Sequence, residues 1–248
     1  MINISQPFVP ALVSYATRGK AAVVSSPSGQ QTVVYTAQGI NRSGGAIDVG
    51  IVRKFAQQTG SYKVFSFDGT DYTNISTALF AGTASTIIGT TPAGKGFAVQ
   101  SKKRSGLIGL TISQASATGA YFFQYYNGSS FTTLTTISTP VFTSTGDIFL
   151  SFLPPNDWAV GGDADLDSSM YTIRVISETT PPGTAVQANA IWVGEMISFA
   201  EGVADNSSLE IRVAHEKAFY LESGEGIMPY FGSANAANAF RVAYSTMF

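Results

Sequence analysis

The stretch Ala120–Ser177 constrains the fold more than any other part of the chain, because its strands and its turns are both written in it. Tyr121–Tyr126 is an aromatic, β-favouring run, and Asn127-Gly128 is the dipeptide that best supplies two positive-φ positions to a tight hairpin. Phe131–Ile137 reads as the return strand, rich in threonine. Ile148, Phe149, Leu150, Phe152 and Leu153 form a third apolar run. Pro154-Pro155-Asn156-Asp157 ends it, since proline brings no N–H to a ladder. Trp158 follows as a large apolar anchor, and Met170–Ile176 alternates through Tyr171, Ile173 and Val175. These are the marks of an antiparallel β unit.

The same residues resemble a β-sandwich module that recurs in structural proteins of tailed bacteriophages. That module has an aromatic-Asn-Gly-Ser-x-aromatic hairpin, a Thr-Ser-Gly strand start, a Pro-x-Asp-Trp corner and a final aromatic-x-Ile-Arg strand. The matching positions are Tyr125, Tyr126, Asn127, Gly128, Ser129 and Phe131, then Thr145, Gly146, Asp157, Trp158, Tyr171, Ile173 and Arg174. One departure is that Thr145 separates Ser144 from Gly146. The likeness extends more faintly upstream to about Gly96. It implies a virion protein as a class, without specifying the part of the virion.

Elsewhere short β-favouring runs also alternate with turn chemistry. Thr32–Tyr35 and Ile47–Phe55 flank the Gly39–Gly45 break, Tyr62–Phe67 precedes Asp68-Gly69, and Leu107–Ile112 follows Lys102–Gly106. Asp71–Phe80 reads as strand or short helix, and Thr86–Ile88 as a short strand. The last third restarts at Ala190–Phe199 and continues through Leu209–Ala214, Phe219–Leu221, Ile227–Phe231 and Phe240–Tyr244. Helix signals are scarce. Such spacing predicts an all-β chain of β-sandwich or jelly-roll type. Thr179-Thr180-Pro181-Pro182-Gly183 is the strongest linker signal. The expected organisation is therefore an extended arm at 1–22, an outer β domain from 23–92 plus 184–248, and an inserted sandwich at 93–178. The flanks are short for independent cores, which favours their combination.

Composition narrows the function classes. The chain has 248 residues, of which only 12% are charged, about half the usual share, so Ser, Thr, Asn and Gln must supply much of the surface polarity. A surface so weakly solvated by charge is suited to cover by partner subunits. A net charge of −2 gives no general drive toward nucleic acid or acidic membranes. Cysteine is absent, which excludes disulfides and thiolate sites. The beginning MINISQPFVPALVSY has no basic segment and is broken by Pro7 and Pro10, unlike a signal peptide, and no apolar run is long enough to span a bilayer.

Candidate chemistry is sparse. His215 is the single histidine, no G-x-S-x-G elbow occurs, and a structural role is the expectation for it. Asp163, Asp165 and Asp167 sit at alternate positions of a Gly-started loop, a pattern able to converge on calcium. The sixth and twelfth positions of an EF-hand would be Gly and Glu, yet here they are Ser168 and Arg174, so a solvated acidic loop is expected. Asp147, Asp157, Glu195, Glu201, Glu210, Glu216, Glu222 and Glu225 form no glycosidase pattern in the sequence. Lys102, Lys103 and Arg104 read as a solvated basic turn. Alternate members of Tyr121–Tyr126 must point to opposite sides of their strand, so half are core and the outward half is free for glycan or a neighbouring subunit.

These readings and the phage resemblance give a non-enzymatic virion protein with no cofactor, assembled in the host cytoplasm. The favoured expectation is a capsid decoration or cement protein, homo-oligomeric, bound to the major capsid protein or other virion proteins. Phe8, Val9, Leu12 and Val13 of the leader would be its interface residues. A neck or tail accessory, or a host-attachment carbohydrate-binding protein, is the alternative. Nucleic-acid and membrane partners are not expected.

Overall fold

The computed structural model describes residues 9–14, 22, 24–212, 219–233 and 235–247. The chain is almost entirely antiparallel β, as the turn-punctuated sequence predicts. Its strands are β1 (Val9–Ser14), β2 (Val24–Ser25), β3 (Gln31–Ile40), β4 (Ile47–Lys54), β5 (Tyr62–Phe67), β6 (Tyr72–Asn74), β7 (Ser85–Ile88), β8 (Gly96–Ser101) and β9 (Leu107–Gln114). They continue as β10 (Tyr121–Tyr126), β11 (Phe131–Thr133), β12 (Gly146–Ser151), β13 (Tyr171–Ser177), β14 (Val186–Val203), β15 (Ser208–Arg212), β16 (Phe219–Leu221), β17 (Gly226–Phe231) and β18 (Ala239–Met247). Among the described residues a single short helix, α1 (Ser76–Phe80), follows β6, so the ambiguous stretch 71–80 holds both a strand and a helix.

The chain divides into two compact units, Met1–Ala56 with Gly194–Phe248, and Gln57–Val193. The inner unit thus begins near residue 57 and ends near 193, where the sequence suggested 93 and 178. Pairing explains the difference: β5 lies along β8 from Tyr62↔Ser101 to Phe67↔Gly96, and β7 pairs with the first residues of β14. The Pro-Pro segment at 181–182 is a loop within this unit, tied by Ala120 N–H to Thr180 O (3.0 Å) and Gly183 N–H to Thr118 Oγ1 (3.0 Å).

In the outer unit β1, β18 and β3 are successive neighbours, with β15 and β16 on the far side of β3. The second layer is β2, β17, β4 and the later part of β14. Val34, Ala37, Phe240 and Val242 from the first layer pack with Val49, Ile51, Ile227 and Phe231 from the second, the interdigitated core of a sandwich. The corner between β3 and β4 is held by buried Asn41, whose Nδ2 donates to Gly45 O and Val203 O, both at 2.7 Å. Arg53 pairs with Glu195 and lies 5.1 Å over the Phe219 ring. Pro229 is tolerated in β17 because the two residues of β2 pair only with Gly226 and Ile227, so no strand needs its missing N–H.

Of the expected arm at 1–22, the stretch 9–14 and residue 22 are described. Val9–Ser14 is a strand on the chain's own last strand, from Val9↔Tyr244 to Ser14↔Ala239. Pro10 fits there because β1 is the sheet's edge. Val9, Leu12 and Val13 therefore belong to an intramolecular ladder, while Phe8 lies outside the described residues.

In the inner unit the six-stranded sheet runs β11-β10-β13-β8-β5-β6. Its inward face carries Tyr62, Val64, Phe97, Val99, Tyr125, Ile173 and Val175, all buried. They meet a second layer built from β12, β9, the beginning of β14, and β7. Across the core Tyr62 Oη donates to Ile191 O (3.2 Å), and Phe142 makes edge-to-face contacts with Phe97 and Tyr121 at centroid distances of 6.5 and 4.8 Å.

Candidate functional site

The six-stranded sheet's other face is the chemically richest surface described. Its two outer hairpins have one design. β10 and β11 close at Tyr126↔Phe131 around Asn127–Ser130, while β5 and β6 close at Phe67↔Tyr72 around Asp68–Asp71. In the first loop Asn127 Oδ1 accepts the N–H groups of Ser129 (3.1 Å) and Ser130 (2.9 Å). In the second Asp68 Oδ1 accepts those of Thr70 (2.9 Å) and Asp71 (2.8 Å). Both are four-residue loops in which glycine alone takes positive φ, 99° at Gly128 and 106° at Gly69. The two-residue turn suggested by Asn127-Gly128 is thus replaced by a side-chain-capped loop. The return strand also ends early, at Thr133 rather than Ile137.

Between the hairpins the acidic loop folds down on the sheet. Leu166 packs against Ala98 and Phe65, with Tyr72 and Phe131 beside them. Asp163 Oδ2 accepts from Tyr72 Oη (2.8 Å) on one edge strand and from Arg174 Nη1 (3.2 Å) on β13. Arg174 lies 3.7 Å over the Phe131 ring of the opposite edge strand, and its Nε donates to Gln124 Oε1 (2.7 Å). A connected chain of Tyr72, Asp163, Arg174 and Phe131 therefore crosses the sheet. Asp167 receives Lys63 Nζ (2.9 Å) and Ser169 Oγ (2.6 Å), and Gln100 holds both the N–H and the carbonyl of Asp167.

The acidic residues serve the packing of their own loop. Asp163 and Asp167 face cations, Asp165 is exposed, and among the described residues no group of three or more metal-ligating side chains converges. The Ser169 hydroxyl and amide, followed by Lys63, hold the Asp167 carboxyl well below the usual carboxylate range. A depressed folded value stabilises the folded state above the unfolded carboxyl pKa of about 4, and the contribution is lost as pH falls through the lower folded value. Carbon-detected NMR should find no Asp167 midpoint between pH 3 and 5, whereas Lys63→Met combined with Ser169→Ala should move the midpoint upward. An ordinary midpoint in the unaltered protein would contradict the clamp.

The tryptophan corner is built as tightly. Trp158 is 1% exposed, donates from Nε1 to Thr172 O (3.2 Å), and meets Phe152 and Tyr171 edge-on at 5.9 and 5.4 Å. Asp157 Oδ1 accepts from Tyr125 Oη (2.8 Å). Arg104 is no solvated turn residue: it donates to Trp158 O (2.7 Å), more distantly to Pro155 O and Asn156 O (both 3.4 Å), and lies 5.5 Å over Tyr171. Arg104→Ala should cost about 1–2 kcal/mol in urea unfolding. Arg104→Lys should recover little of it, because an ammonium cannot span several carbonyls as a planar fork does.

The remaining sequence candidates are dispersed. Asp147 accepts from Thr111 Oγ1 (2.6 Å), Glu195 pairs with Arg53, and Glu225 Oε2 accepts from Glu222 N–H (3.0 Å). Glu201 is exposed and Glu210 lies on β15, while His215 and Glu216 lie outside the described residues. Tyr121–Tyr126 alternates as expected: Tyr125 is buried, and Phe122 on the other face is 45% exposed. Tyr72, Phe67 and Lys63 join the outer face from a strand pair that the sequence placed in a different domain, and only their pairing with β8 brings them there. No protein-family model, no curated protein and no solved structure matches the chain.

Proposed function

We propose that the chain is a non-enzymatic structural protein of a tailed-phage particle, a decoration protein that stabilises the head by bridging capsid subunits. The resemblance of Tyr125–Arg174 to the phage module motivates the class. The observation that carries the reading is where the polar motif residues go. Asn127 caps a hairpin, Asp157 holds Tyr125, Trp158 holds Thr172, and Arg174 pins the acidic loop. The motif is thus a set of instructions for building a scaffold, and its carboxylates serve packing. A scaffold of this kind acts through area buried against neighbours, and symmetric self-association suits it. Its low charge lowers the desolvation cost of such contacts.

The exposed Phe122, on the same face as Gln124 and Tyr126, supports a second reading as a neck or tail protein that attaches to host glycan. Peptide mass spectrometry of gradient-purified particles tests the shared premise. The chain should copurify in many copies per particle, and its absence from intact particles would overturn both readings.

A further inference from the structure

Beside the hairpin at Asp68, a half-open hollow of about 180 Å³ is lined by Ser66, Phe67, Asp68, Thr86, Ile87 and Lys95, with backbone at Gly89 and Gly96. Sites for drug-sized ligands occupy roughly 300–1,000 Å³, so this one has room for a single small ring. Its polar groups are fixed in advance. Asp68 is tethered through Oδ1 to two backbone N–H groups, and its carboxylate takes no side-chain hydrogen bond from the described residues. Lys95 Nζ donates to Thr91 O (2.9 Å), and an ammonium has further donors to offer.

One anion and one cation line the same small space, so together they give no net attraction to a ligand of either charge. A neutral molecule that both donates and accepts satisfies each. Thr86 adds an exposed hydroxyl-bearing position at the rim. The rest of the lining is mostly apolar and is carried by paired strands, β5 and β7. A molecule with hydroxyls around its rim and an apolar C–H face answers all of these features, and fixed partners reduce the ordering cost of binding it.

We propose that this hollow binds one neutral pyranose, the terminal residue of a glycan. The proposal does not rest on where in a particle the chain sits. Saturation-transfer NMR on the full chain, with methyl glycosides of glucose, galactose, mannose and N-acetylglucosamine as probes, tests it. At least one glycoside should receive transfer, and anionic N-acetylneuraminic acid should receive none. Asp68→Asn keeps an Oδ1 acceptor for the turn while removing the charge, and should weaken binding roughly tenfold. Thr86→Trp, at an exposed strand position, should block the mouth and abolish transfer with an unchanged melting curve. Absence of transfer to all four glycosides, preference for the anionic sugar, or transfer undiminished in Thr86→Trp would each overturn the site. None of those results bears on particle localisation, so the two proposals fail separately.

Discussion

Trp158→Ala is expected to destabilise the 57–193 unit by about 3–5 kcal/mol, the range for removing a large buried aromatic and leaving a cavity. The side chain is 1% exposed and sits where three parts of the unit converge, the end of β12 through Phe152, β13 through Tyr171 and Thr172, and the Arg104 turn. Alanine would remove both ring contacts and leave the Thr172 carbonyl without its indole donor. Trp192, in the same unit, remains as the fluorescent reporter for urea unfolding. Trp158→Phe should recover most of the loss, since it restores ring volume but not the Nε1 hydrogen bond. A loss below about 1 kcal/mol for the alanine variant would remove Trp158 from its place as the unit's anchor.

Gly96→Ala should cost about 3 kcal/mol or more, at or beyond the upper end of ordinary overpacking. A Cβ there would lie 1.9 Å from Val175 O and 2.7 Å from Ile176 Cα. Both are backbone atoms of β13, so no rotamer change relieves the clash. Relief requires β8 to move, and β8 is paired with β13 on one side and β5 on the other. Gly45→Ala is the matched control: nothing lies within 4 Å of its Cβ, and a change within about 0.5 kcal/mol is expected. Equal melting temperatures for the two variants would show that the ladder at Gly96 yields more easily than its geometry implies.

Much of the fold is legible because local chemistry and tertiary demand coincide. The alternation at Tyr171, Ile173 and Val175 marks one face of β13, and Pro154-Pro155 follows β12 within a few residues. What fails to show is whatever depends on a distant partner. Asn127-Gly128 signals a turn, but its four-residue length is set by the Tyr126↔Phe131 pair. Thr179–Gly183 has the composition of a linker, although Thr118 and Ala120 fold it into the inner unit. Lys102, Lys103 and Arg104 are alike in sequence, and only the carbonyls of Pro155, Asn156 and Trp158 single out the arginine. The acidic triplet reads as a solvated loop, and only Lys63 and Arg174, distant in sequence, show that Asp163 and Asp167 are paired. Alternation correctly divides Tyr125 from Phe122, whereas the hollow beside Asp68 has no sequence signature, since its walls come from three strands.

Cryo-electron microscopy of particles that encode this chain, compared with particles lacking its gene, tests the decoration reading most directly. Density for the chain should repeat over the head at contacts between capsid subunits and be missing from the deletion particles, whose heads should open at a lower temperature. Density confined to the neck or tail would contradict decoration and favour attachment. No density for the chain anywhere on the particle, with particles unchanged by the deletion, would contradict the virion reading as a whole.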